Sequence, residues 1–237
     1  MDSGVSPPSQ RAVCTFDESR CLPAALEELA RTSSCAKGEI IYQQEDCADY
    51  WYRLVVGAAR KGAVMPDGRR HIVSFLLPGD LFGFGASHAH QFTVEAISPG
   101  TIVARYSRRR AEIIAESDPE VSRRVREAAF ESIARLQTRM VLLGRNGALE
   151  KVAAFLLEMH GRCGGCLDVV ELPMSRYDIA DYLSIAVETV SRSLTEMRRT
   201  RLIALSGTRR FRILDEAKLL AIAGAHGDAC STRASLA

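Results

Sequence analysis

The chain has 237 residues, 47% apolar and 25% charged, with a net charge of +2. That balance suits one or two globular domains and excludes a uniformly basic polycation. No apolar run reaches the roughly 18 residues of a membrane span, no signal-peptide pattern opens the chain, and the seven cysteines are an odd number, so the expectation is a cytoplasmic, membrane-free protein with mostly reduced thiols.

Residues 1–36 read as an N-terminal arm and a short helix. Pro7-Pro8 and several serines mark the arm, and Leu22, Leu26 and Leu29 at helical spacing predict a helix over 23–30. Over 37–107 the pattern changes to short β-rich runs. These are Ile40-Ile41-Tyr42, 51–56, 72–76 and 101–106, punctuated by the turns Asp67-Gly68 and Pro78-Gly79. Strands this short and numerous predict a sandwich or double-sheet jelly roll. Residues 108–145 read as one long helix from Arg108 to about Leu143. Its residues Ala129, Ile133, Leu136, Met140 and Leu143 step by four, three, four and three, the spacing of a coiled-coil seam and so a candidate dimer interface. A helix lying on its own domain is the alternative. Gly144-Arg-Asn-Gly147 then breaks the helix.

Residues 146–225 form a second unit, and 226–237 a tail. Leu149, Val152, Ala153 and Leu156 begin a helix; 167–172 is a strand; 202–205 and 211–214 flank Ser206-Gly207-Thr208 as a two-stranded wing. Between them, Ile179, Tyr182 and Leu183 give one apolar stripe and Val187, Val190 and Leu194 another. Ser175 and Asp178 have the spacing of a capping pair. Two short helices with a tight turn are a helix-turn-helix, whose second helix enters the DNA major groove. That helix presents Glu188, Ser191 and Arg192 on one face. Arginine can donate twice to guanine, and glutamate can accept from cytosine N4. From Met174 to Ile213 eight arginines face four acids, an excess suited to phosphate. Thr189, Ser175, Arg209 and Arg210 are candidates for phosphate or supporting contacts, and Val187 for a thymine methyl. A helical hairpin in some other core is the bland alternative.

The run from Ser175 to Leu194, together with Pro78-Gly79-Asp80-Leu81-Phe82-Gly83, Pro66-Asp67-Gly68-Arg69-Arg70, Glu150-Lys151-Val152-Ala153 and Asp49-Tyr50-Trp51-Tyr52 before Gly57, closely resembles the Crp–Fnr family of bacterial transcription factors. The resemblance spans about residues 35 to 215. It leans to the FixK-like branch through Met174-Ser175-Arg176, Asp178–Leu183 and Glu188–Arg192. It implies an α+β fold: an N-terminal jelly roll of the cyclic-nucleotide-binding type, a long dimerisation helix and a C-terminal winged helix-turn-helix. It also implies a homodimer that reads a palindrome containing TTGA and TCAA, with Arg192 on guanine and Glu188 on the cytosine side, and that contacts RNA polymerase. Ser184 departs from the family, which usually has glycine in the turn; a serine at positive φ is strained there.

The effector question divides by chemistry. Cyclic-nucleotide members pair an acidic residue in a Pro-Gly-Glu-Leu-type turn with an Arg-Ser/Thr-Ala segment for the phosphate. Here the turn offers Asp80, but His90-Gln91-Phe92-Thr93 stands at the second segment, without that arginine. Cys14, Cys21, Cys35 and Cys47 are spaced too irregularly for an iron–sulfur set, and His71, His88 and His90 are isolated. No cofactor or metal is therefore expected. Cys163-Gly-Gly-Cys166 can form a reversible disulfide, or lend two thiolates beside His160 to a metal, or be an incidental Gly-rich loop. The expectation is effector-independent regulation, with redox or ligand control as the alternative. A sensor whose output is not DNA binding, or an enzyme, is disfavoured by the helix-turn-helix and by the lack of a nucleophile–base set.

Overall fold

The computed structural model describes residues 22–65, 70–85, 87–163 and 169–224. The N-terminal part is an antiparallel β-sandwich. Its strands are β1 (Arg31–Cys35), β2 (Ile40–Tyr42), β3 (Tyr50–Val56), β4 (Ala59–Val64), β5 (Arg70–Leu76), β6 (Leu81–Phe82), β7 (Thr93–Ala96) and β8 (Thr101–Ser107). One sheet runs β1-β8-β3-β6 and the other β2-β7-β4-β5. Tyr42, Tyr52, Leu54, Leu76, Phe82, Val94 and Val103 fill the space between them. The alternation along β3 and β8, paired as Trp51↔Tyr106 and Leu54↔Val103, sends Trp51 and Tyr106 to the opposite face. There they meet Leu22, Leu26, Ala111 and Val121 from the helices α1 (Ala24–Glu27), α2 (Arg108–Ser117) and α3 (Pro119–Leu143).

Two elements differ from the pattern read in the sequence. Strand β1 precedes residue 37, because Arg31-Thr-Ser-Ser-Cys35 is an edge strand with only Cys35 buried and carries almost no apolar alternation. The single helix expected over 108–143 is two. Asp118 caps α3 by accepting from Glu120 N at 2.8 Å and Val121 N at 3.3 Å, and Pro119 takes the first helical position, where its missing N–H costs nothing.

After residues 144–147 come α4 (Ala148–Arg162), β9 (Val170–Glu171), α5 (Arg176–Leu183), α6 (Val187–Arg199), β10 (Ile203–Ser206), β11 (Arg210–Ile213) and α7 (Glu216–Ile222). The wing is three-stranded, in the order β10-β11-β9. Its core, with Phe155, Leu183, Val190, Met197 and Phe211, is continuous with Ala58, Ile72, Phe75, Leu77 and Ile97 of the sandwich. The Asp67-Gly68 turn, most of the arm with Cys14 and Cys21, Cys166, and the 226–237 tail lie outside the described residues. Among the described residues no helix is long and apolar enough to cross a membrane.

Candidate nucleic-acid interface

Helix α5 starts where Ser175 Oγ accepts from Asp178 N at 3.1 Å and Asp178 Oδ2 accepts from Ser175 N at 2.9 Å, a full capping box. It ends at Ser184, whose φ of 53° and ψ of 49° are left-handed, so the turn keeps its geometry with serine in place of glycine. Helix α6 then buries Val190, Ser193, Leu194 and Met197. Glu188, Arg192, Thr195 and Arg199 are exposed on the other side, and Ser191 is half-buried. Arg192 Nε lies 3.5 Å from Glu188 O.

The other predicted contacts fare differently. Ser175 spends both its donors, N–H and hydroxyl, on Asp178 Oδ2, which leaves none for a phosphate oxygen in this arrangement. Val187 is half-buried against the domain core, and Thr189 is half-buried in the first turn of α6. Arg209 donates to Pro173 O at 3.3 Å, while Arg210 pairs with Glu171 at 3.1 Å on the exposed wing. Three arginines to which the sequence assigned no site role join the site. Arg176 Nη1 donates to Ser191 Oγ at 3.1 Å, linking the two helices. Arg60 of β4 pairs with Asp178 Oδ1 and with Glu95 at 2.7 Å. Arg70 adds Asp181 at 3.4 Å. The sandwich thus grips α5 through ions as well as through Phe75, whose ring lies 5.1 Å from Tyr182.

Burial pushes the Asp178 carboxyl up, but its bonds from Ser175 and the Arg60 guanidinium outweigh that and hold it below the ordinary carboxylate value. Helix α3 contributes Arg139, whose guanidinium sits 4.8 Å over the Tyr182 ring. On the same helix Ile133, Leu136 and Met140 are exposed and Ala129 and Leu143 half-exposed. Phe130 and Val141, outside the regular seam, are open too, at 67% and 65%.

At the sandwich end, Asp80 caps its turn by accepting from Leu77 N at 2.9 Å, pairs with Arg162 of α4 and stands 3.8 Å from Arg135 of α3. It therefore ties the turn to both helices. A cleft of about 170 Å³ is lined by Tyr42, Lys61, Phe84, His90 and Phe92. Lys61 brings to it a cation that the His90–Thr93 segment lacks. Burial and the neighbouring Arg135 depress the Lys61 ammonium, and it lies 5.1 Å over the Phe92 ring. His90 stacks on Tyr42 at 3.7 Å, and burial above all lowers its pKa. Among the described residues no group of three or more His, Cys, Asp and Glu converges as a metal site. Cys163, buried at the end of α4, is disulfide-bonded, and its partner lies outside the described residues, since Cys35 and Cys47 are free thiols.

Comparison with known proteins matches this arrangement. Residues 150–222 fit the model of the Crp-like helix-turn-helix domain, and residues 32–118 that of the cyclic nucleotide-binding domain. The chain is 40% identical over 202 residues to the nitrogen fixation regulation protein FixK of Bradyrhizobium diazoefficiens, covering 84% of each chain. It is 33% identical over 233 residues to the transcriptional activator protein FnrL of Cereibacter sphaeroides, covering 95% of this chain and 93% of the relative. The solved structure of FixK2 from Bradyrhizobium japonicum superposes with a TM-score of 0.77 at 37% identity, over 81% of this chain and 96% of that one.

Proposed function

The chain belongs to the Crp–Fnr family of DNA-binding transcription regulators, in its FixK-like branch, and is not an enzyme; from that premise we propose that it acts as a cytoplasmic homodimer reading a TTGA–TCAA palindrome. Arg192 pairs with guanine, Glu188 accepts from the opposing cytosine, and Ser191 reads a neighbouring base. Thr189, Arg209 and Arg210 supply phosphate or supporting contacts. The two-fold partner covers Ala129, Ile133, Leu136, Met140 and Leu143, which places two recognition helices about one DNA turn apart. The sandwich positions the dimer and contacts RNA polymerase, without a small-molecule effector.

The observation that carries this reading is the presence in one chain of two open features: the exposed Glu188–Arg192 face of α6 and the exposed apolar seam of α3. Arg139 of α3 sits over Tyr182 of α5, and α5 is in turn tied to α6 by Arg176 and Ser191. The test is binding of the reduced protein to the palindrome, with Arg192→Ala and Glu188→Ala. Each is expected to lose about 1–3 kcal/mol on the cognate duplex and little on random DNA. Equal losses on both would remove these residues from base reading. Cyclic AMP is expected to leave the affinity unchanged; a strong requirement for it would overturn the effector-independent reading.

A second reading, redox control, is favoured by the disulfide at Cys163. Oxidation of Cys163 with Cys166 constrains the loop that leads from α4 into the helix-turn-helix, and so changes the angle at which the recognition helices meet DNA. DNA affinity before and after mild peroxide, in wild type and Cys163→Ser/Cys166→Ser, separates the readings. A response that persists in the double mutant eliminates this pair.

A further inference from the structure

We propose that Arg176 sets the specificity of the recognition helix without touching a base: it fills one of the two acceptor sites of Ser191 Oγ and so biases the Ser191 hydroxyl to meet DNA as a donor. This rests on the recognition-helix reading above and adds the chemistry of one base position to it.

A serine hydroxyl carries one proton and two acceptor lone pairs. Within a helix it commonly turns back to donate to a carbonyl one turn earlier. Two other hydroxyls in this helix region do so, Thr195 to Ser191 O and Thr200 to Glu196 O, both at 2.9 Å. Ser191 behaves differently. Its oxygen receives Arg176 Nη1 at 3.1 Å, and among the described residues its hydroxyl makes no return bond within the helix. Arg176 is the first residue of α5, immediately after the capped Ser175, so a reciprocal capping box fixes the point from which its side chain reaches α6. Both Arg176 and Ser191 are half-buried, which shields the contact from water.

Guanidinium has donors only, so the direction of this bond is fixed. A charged donor also polarises the hydroxyl and strengthens its own proton as a donor. Facing the major groove, that proton needs an acceptor: purine N7, guanine O6 or thymine O4. Cytosine offers an amino donor there instead. Ser191 with Arg176 behind it therefore favours an acceptor-bearing base and disfavours cytosine, since its oxygen is already partly engaged as an acceptor. Serine with no arginine behind it can rotate and accept as well, and discriminates poorly.

The experiment uses the full chain and fluorescence anisotropy at one fixed salt concentration. The duplexes are palindromes in which each half-site position is changed symmetrically to all four bases. The proteins are wild type, Ser191→Ala, Arg176→Gln, Arg176→Lys and Arg176→Gln/Ser191→Ala, each checked for helix content by circular dichroism. Ser191→Ala is expected to flatten discrimination at one base-pair position, where wild type disfavours cytosine by about fivefold. Arg176→Gln flattens the same position, leaves the Arg192 and Glu188 positions unchanged, and adds no further loss of discrimination in the Ser191→Ala background. Arg176→Lys keeps part of the discrimination. The proposal is overturned if Arg176→Gln weakens all duplexes by one factor, or acts equally with and without the Ser191 hydroxyl, or changes nothing. It is also overturned if the Ser191 position prefers cytosine. A wild-type protein with no preference at any position contradicts the recognition-helix reading itself, which is a separate result.

Discussion

Replacing Asp178 with asparagine should loosen the helix-turn-helix from the sandwich, and the structure sets the size of the effect. Asp178 is buried, with a side chain 7% exposed. One carboxylate oxygen accepts from the Ser175 N–H and hydroxyl; the other accepts from Arg60, with Arg70 at 3.7 Å. Asparagine removes the charge and turns one acceptor into a donor. Loss of one arm of the capping arrangement costs about 1 kcal/mol. Removing one partner of a buried ion pair costs about 3–5 kcal/mol when the other is left bare. Arg60 is not left bare, because Glu95 still binds it at 2.7 and 2.8 Å. A total of about 2–3 kcal/mol follows, and at about 2–4 °C per kcal/mol for a chain of this size Tm falls by about 5–10 °C. Thermal unfolding of Asp178→Asn, Arg60→Gln and the double variant measures it, with a coupling of at least about 1 kcal/mol between the two sites. Strictly additive losses, or an unchanged Tm for Asp178→Asn, would refute the idea that this pair holds α5 to the sandwich.

The same group fixes an acid limb of stability. Its folded pKa is held below the ordinary carboxylate value, so its contribution is present above about pH 4 and lost as pH falls through the folded value; denaturant titrations of wild type and Asp178→Asn should converge below that range. Leu136→Glu places charge against its two-fold mate, and sedimentation should show more monomer and weaker DNA binding, whereas an intact dimer would move the interface elsewhere. Ser184→Gly should raise stability by about 0.5 kcal/mol, because relief of a left-handed serine exceeds the entropy cost of glycine; a loss on chemical denaturation would show that Ser184 is not strained.

The elements that bear the recognition surface were legible because their signals are local. Val187, Val190 and Leu194 repeat at helical spacing, and Ser175 with Asp178 announces the start of α5. The break between α2 and α3 was equally local, in Asp118-Pro119, but the apolar residues Ile113, Ile114, Val121 and Val125 continue across it and hide it. Helix α7 is likewise marked only by its cap, Asp215 accepting from Lys218 N at 3.0 Å. Strand β1 is too polar to declare itself. The strand read over 167–172 contains β9, but its place as the third strand of the wing depends on pairing with β11, which no local signal shows. The ionic grip on α5 was not legible at all. Arg60 and Asp178 lie 118 residues apart, and no periodicity links them. The role of the Ser175 hydroxyl was hidden for a related reason: sequence shows that a donor exists, while only geometry shows that Asp178 uses it.

The most direct test of the account is the affinity of the reduced, cyclic-AMP-free protein for a TTGA–TCAA palindrome against a duplex of equal length with scrambled half-sites, at an ionic strength of about 0.15 M. The account requires binding to the palindrome at least about a thousandfold tighter than to the scrambled duplex, with most of that preference lost in Arg192→Ala. Equal affinity for the two duplexes would contradict it.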